Sequence, residues 1–141
     1  MKFRHLASLA AALALSAGAG AADLVVIVSA KNPLTALRAE QVAEIFLAQV
    51  GRFPDGVEAT PLDLPVGAAL RDEFYARVAA KSPPLMRSYW TKMIFTGRGQ
   101  PPRELDSSAA IRKLVASHPG MIAYIDRAAV DESVHVVLAV H

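Results

Sequence analysis

The sequence contains no cysteine, which excludes a disulfide framework, a thiolate metal site and a cysteine nucleophile together. Aromatic residues make up only 6% of its 141 positions, with a single tryptophan. Basic residues interleaved with stacking rings, the mark of a nucleic-acid surface, are therefore missing. No block of like charge occurs, the 15 basic and 13 acidic residues being spread along the chain. Beyond residue 22 no apolar run approaches the roughly 20 residues of a membrane-spanning helix, and no repeat or low-complexity stretch is found. Neither a Gly-x-Ser-x-Gly elbow nor a Ser-x-x-Lys nucleophile is present, and carboxylates are scattered rather than paired. His118, His135 and His141 fall in a turn, a strand and the terminus. His135 and His141 have no third ligand beside them, so no metal or other cofactor is expected. These absences point away from an enzyme.

What is present begins with an export signal. Lys2 and Arg4 precede an apolar run from Leu6 to Leu15, followed by the small residues Ser16-Ala17-Gly18-Ala19-Gly20-Ala21-Ala22. A charged start, a short apolar stretch and an A-x-A site describe a secretory signal peptide over residues 1–22, cleaved after Ala21 or Ala22. No cysteine follows, so a lipoprotein anchor is excluded. Removal takes away Lys2 and Arg4 and no acid, which brings the basic residues level with the 13 acidic ones. The formal charge of +2 therefore says nothing about partners, and the remaining domain, residues 23–141, is expected in the periplasm.

Within that domain, strands and helices alternate. Leu24-Val25-Val26-Ile27-Val28 is a continuous apolar run rich in β-branched residues, as for a strand buried on both faces. Lys31-Asn32-Pro33-Leu34 ends it with turn chemistry. From Arg38 to Leu47, Val42, Ile45 and Phe46 form one helical stripe. Arg52-Phe53-Pro54-Asp55-Gly56 is a turn, and Glu58 to Leu64 reads as a strand that Pro61 pushes towards an edge. A helix over Ala68 to Ala80 places Leu70, Phe74 and Val78 on one face. Ser82 before Pro83 then pairs an N-cap with a first-turn proline and opens a further helix ending at Gly97. This helix carries Leu85, Met86, Tyr89, Trp90, Met93 and Ile94, apolar over much of its girth, and the spacing of Tyr89, Trp90 and Phe95 favours core packing over stacking on a ligand. Thr96 to Arg103 reads as a loop. Ser107 or Ser108 caps a fourth helix, and Met121 to Ile125 and Val134 to Val140 supply two strands. The order β-α-β-α-α-α-β-β specifies an α/β layer architecture.

These residues resemble a known family. Val25-Val26-Ile27-Val28-Ser29-Ala30-Lys31-Asn32-Pro33-Leu34, followed by Leu37, Gln41, Ile45-Phe46 and Phe53, is similar to the second lobe of phosphate ABC transporter substrate-binding proteins. Leu62 to Phe74 falls where that family has its ligand-binding loop and following helix. His118-Pro119-Gly120-Met121-Ile122-Ala123-Tyr124-Ile125 resembles its Pro-Gly-x-Ile-Gly-Tyr strand, with Ala123 in place of the glycine. The resemblance spans residues 24–140 and comes nearest to short, single-lobe relatives. It implies one lobe of the type II periplasmic-binding-protein fold, a central mixed sheet flanked by helices. Two departures stand out. The chain has room for one lobe where the family clamps its ligand between two. Val66-Gly67-Ala68-Ala69 also lacks the hydroxyls of the family's Gly-Ser-Gly-Thr-like loop.

An anion site at that loop remains physically reasonable. Unpaired amides at a helix start and the positive end of the macrodipole attract phosphate or sulfate without side chains. Gly67 permits close backbone approach, the Ala68 and Ala69 amides face an anion, and Arg71 one turn in offers a bidentate contact. The competing reading makes Arg71 a surface residue paired with a carboxylate such as Asp72. Asp63 either faces a ligand or caps a turn. Arg98 and Arg103 flank Gly97-Arg98-Gly99 as a cationic rim or as part of a stiff connector, and no P-loop follows. The resemblance thus implies an exported, non-catalytic protein that binds inorganic phosphate or a similar oxyanion for ABC-type uptake. Its expected protein partners are a membrane transporter or a second copy of itself, and the competing class is a ligand-free interaction module of the envelope that docks on a membrane or sensor protein.

Overall fold

The computed structural model describes residues 23–141; the signal-peptide assignment for 1–22 lies outside the described residues. Five strands, β1 (Leu24–Ser29), β2 (Thr60–Asp63), β3 (Arg103–Glu104), β4 (Met121–Asp126) and β5 (Val134–Val140), form one sheet in the order β3-β2-β4-β1-β5. It is mixed, β1 running antiparallel to β4 and β5 while β2 is parallel to β3 and β4. Four helices join the strands, α1 (Ala39–Phe46), α2 (Ala69–Ala79), α3 (Pro83–Phe95) and α4 (Ser108–Ser117), with one 3₁₀ turn at Arg127–Ala129. The α/β lobe expected from the sequence is the architecture observed.

The apolar run at the start of the domain has the place its composition demands. All six residues of β1 are buried, with a strand on either side. On one face Ser29 closes the row by donating its hydroxyl to the Ala116 carbonyl of α4 at 3.0 Å. On the other, α1 and α2 bring Phe46 and Phe74 against Tyr124 of β4. The Phe74 and Tyr124 rings stack at 4.1 Å, and Phe46 meets Phe74 edge-on at 4.8 Å. Together the stacked and edge contacts fix the distance of α2 from the sheet.

Two turns are tied together. Asn32 donates its side-chain amide to the Pro119 carbonyl at 2.9 Å and accepts from the Leu34 amide at 2.8 Å. The Asn-Pro and Pro-Gly motifs, 87 residues apart, thus form one joint at the end of the sheet. Pro61 is tolerated inside β2 for a geometric reason. The Thr60 amide bonds the Gly120 carbonyl on the β4 side, so alternation turns the Pro61 nitrogen the other way, and β3 pairs only from Leu62 onward.

Two expectations need correction. The segment Thr96 to Arg103 is not loop throughout, because Arg103 and Glu104 form β3, held by β2 and by the Leu105 amide on the Asp63 carbonyl at 2.9 Å. Core packing also fails for Phe95, which is 90% exposed. Trp90 is buried, and Tyr89 is half-buried with its hydroxyl on the Leu47 carbonyl. Phe95 sits in the last turn of α3, past the point where that helix meets the core.

Candidate functional site

Strand β2 ends on a carboxylate with no solvent exposure, Asp63. An isolated buried charge is untenable, so donors must surround it. Oδ1 accepts from the Leu64 amide at 2.9 Å and from the Tyr124 hydroxyl. Oδ2 accepts from the Tyr75 hydroxyl of α2 at 2.5 Å, and Arg71 Nη1 lies 3.6 Å away. Arg71 is itself buried. Its Nη1 donates to the Leu64 carbonyl at 3.0 Å and to Glu104 of β3 at 2.8 Å. Three strands and one helix are thereby pinned at a single point.

The electrostatics follow from burial. Desolvation pushes the Asp63 carboxyl above its usual range, the two tyrosines, Arg71 and the Leu64 amide only partly opposing this. Burial acts most strongly and against the charge of Arg71, but Asp63, the two tyrosines and the hydrogen bond to Glu104 together outweigh it and raise the guanidinium pKa. Tyr75 and Tyr124 are pushed far above the ordinary tyrosine value, first by burial and then by the negative charge of Asp63. Their hydroxyls stay protonated and donating.

Above this network opens a cleft of about 390 Å³, between the start of α2, helix α3 and β3. Val66, Gly67, Arg71 and Asp72 line one side, Met86, Arg87, Trp90 and Ile94 another. The approach to α2 is a type II turn in which the Ala68 amide reaches the Pro65 carbonyl at 3.0 Å and Gly67 takes φ +93°. That turn requires positive φ at its third position, which favours glycine. No side chain caps α2, so the Ala69, Leu70 and Arg71 amides lack the partner that a serine or aspartate would give. Helix α3 starts as its sequence specifies, the Ser82 hydroxyl accepting from the Leu85 amide and two prolines following.

The sequence-derived candidates separate clearly. Gly67 and Arg71 both line the cleft; Ala68 and Ala69 do not. The Ala68 amide is used by the turn, leaving Ala69 as the first open amide. Arg71 is not a surface residue paired with Asp72, because the alternation of β3 presents Glu104 to it and the end of β2 presents Asp63. Asp63 neither lines the cleft nor caps an exposed turn; it anchors the residues beneath. Arg98 lines a different groove, with Tyr89 and Lys92, and Arg103 is an exposed residue of β3, so the two do not line one groove together and neither lines the cleft beside Arg71. Tyr75, Tyr124 and Glu104 are the site residues that sequence reasoning passed over, while Trp90, read there as core rather than ligand-stacking, is buried and also lines the cleft. A buried tyrosine must find an acceptor for its hydroxyl, which was the available signal for the first two. Nothing local marks Glu104.

No protein-family model and no curated protein matches the chain. Solved structures do. A protein of Clostridium perfringens, assigned to phosphate ABC transporters and solved with bound phosphate, is 23% identical with a TM-score of 0.64, the match covering 82% of this chain and 44% of that one. An ABC-type phosphate transport receptor from Vibrio cholerae is 18% identical with a TM-score of 0.65, over 82% and 45%. PstS from Borrelia burgdorferi is 11% identical with a TM-score of 0.60, over 82% and 46%. The chain thus spans less than half the length of the solved structures it matches. It has the fold of a single lobe of the phosphate ABC transporter substrate-binding proteins.

Proposed function

We propose that the chain is an exported, non-catalytic solute-binding protein of the periplasm that takes phosphate or a similar oxyanion in connection with ABC-type uptake. The observation that carries this reading is the start of α2. A glycine turn delivers an uncapped helix to the edge of a cleft, and a nearly buried arginine lines that cleft one turn in. Open amides and the helix dipole supply attraction for an oxyanion where the loop has no hydroxyls. Gly67 and Arg71, which line the cleft, are the contacts proposed, with the open Ala69 amide adding to the field at the helix start rather than reaching into the cleft. The shared fold with a protein solved holding phosphate supports the class of solute.

Thermal unfolding against anions at matched ionic strength tests this. A ligand bound only by the folded state adds about 2.7 kcal/mol at a hundredfold excess over Kd, a rise of several degrees for a domain of this size. Phosphate is expected to produce that rise and chloride to produce none. No rise at millimolar phosphate contradicts the proposal.

One observation favours a second reading, a ligand-free interaction module docking on a membrane or sensor protein. Leu85, Ile94 and Phe95 of α3 are exposed apolar residues, and Val66 joins them at 73% exposure. These residues form an apolar surface beside the cleft. Size exclusion with and without phosphate separates the two readings.

A further inference from the structure

We infer that the cleft beside Arg71 is built for an organic phosphate, an apolar body carrying the oxyanion, rather than for the bare ion; this rests on the oxyanion reading above. Its volume of about 390 Å³ falls within the roughly 300–1,000 Å³ typical of pockets for organic ligands. A five-atom ion leaves most of it unfilled. Val66, Pro83, Met86, Ile94 and Pro101 form apolar walls, against which a hydrated anion surrenders water and gains no hydrogen bond. An apolar body gains from the same walls. Among the lining residues Arg71, Lys81 and Arg87 outnumber Asp72 and Glu104, so the charge balance favours an anionic head.

Trp90 carries the inference furthest. It lines the cleft, is only 6% exposed, and its indole Nε1 is the one buried side-chain polar atom without a hydrogen-bond partner among the described residues. The large majority of buried side-chain donors in folded proteins have a partner, so this N–H calls for an acceptor. Arg71 makes its hydrogen bonds through Nη1, and no described residue accepts from Nη2 or Nε. The outer guanidinium nitrogens of Arg71, and the Trp90 N–H buried in the wall beside them, are thus the donors at this cleft without an acceptor among the described residues. Phosphoryl and ester oxygens supply the acceptors, and the organic group covers the apolar walls.

The test compares phenyl phosphate, inorganic phosphate and phenol. Calorimetry with the whole protein gives the affinities, and emission from Trp90, the single tryptophan of the chain, reports on the cleft. Phenyl phosphate is expected to bind at least about tenfold more tightly than inorganic phosphate and to shift the tryptophan emission. Trp90→Phe, which removes the N–H and keeps a ring, is expected to weaken phenyl phosphate by about tenfold. Equal affinity for phenyl phosphate and inorganic phosphate overturns the inference and leaves the oxyanion reading standing. Phenol binding as tightly as phenyl phosphate also overturns it, since the head group then contributes nothing. No binding by any of the three overturns both.

Discussion

Asp63→Ala is expected to destabilise the fold by about 3–5 kcal/mol, the usual cost of breaking a buried charge pair by removing one partner. Three donors, the hydroxyls of Tyr75 and Tyr124 and the amide of Leu64, lose their acceptor in the variant. Arg71, held by Asp63 on one side and Glu104 on the other, is left nearly buried with half its compensation. Domains of ordinary stability have about 5–15 kcal/mol in total, so the loss is a large share of what holds this one together. A fall in melting temperature of more than about 10 °C follows. Asp63→Asn keeps an oxygen for two of the donors and turns an amide towards the others, and is expected to fall between. An alanine variant that melts with the parent would mean that the tyrosine and arginine contacts contribute nothing to stability.

The same network predicts a steep alkaline limb. Tyr75 and Tyr124 have pKa values raised in the folded state, by burial and by the Asp63 charge. Groups raised on folding contribute stability that is complete below their unfolded pKa, here near 10. Above that pH the unfolded chain releases two protons that the folded chain retains, so stability falls by about 2.7 kcal/mol per pH unit from these two groups alone. Denaturant unfolding between about pH 9 and 11 measures the slope, and the Tyr75→Phe/Tyr124→Phe double variant is expected to show a slope shallower by that amount. Absorbance of the phenolate should show both groups ionising only as the protein unfolds. Equal slopes for parent and double variant would contradict the assignment.

Much of the fold was legible because it rests on local signals. The unbroken run at β1 announced a strand buried on both faces, Ser82-Pro83 announced the start of α3, and β5 occupies the expected Val134–Val140. What escaped depends on distant partners. β3 is two residues long and exists because β2 lies beside it; no periodicity can be read from so short a strand. Asp63 looked like a ligand-facing or turn-capping residue because its acceptor role is fixed by tyrosines 12 and 61 positions away. Arg71 was read as cleft-facing or surface-paired, while Glu104, 33 positions on, takes part of its charge. In α3 apolar residues surround the helix, and sequence cannot choose which face meets the core. Ile94 and Phe95 are accordingly exposed while Met86 and Trp90 are buried.

The loop before α2 was the most informative stretch for function. Its glycine marked the turn, and because the loop has no hydroxyls the contacts proposed for an oxyanion are backbone and Arg71. A calorimetric titration of phosphate into the purified protein, beside Arg71→Lys, tests that claim most directly. Lysine keeps the positive charge and loses the planar fork. The account predicts measurable phosphate binding by the parent and a loss of at least about tenfold in the variant. Equal affinities in the two proteins, or no phosphate binding by the parent, would contradict it.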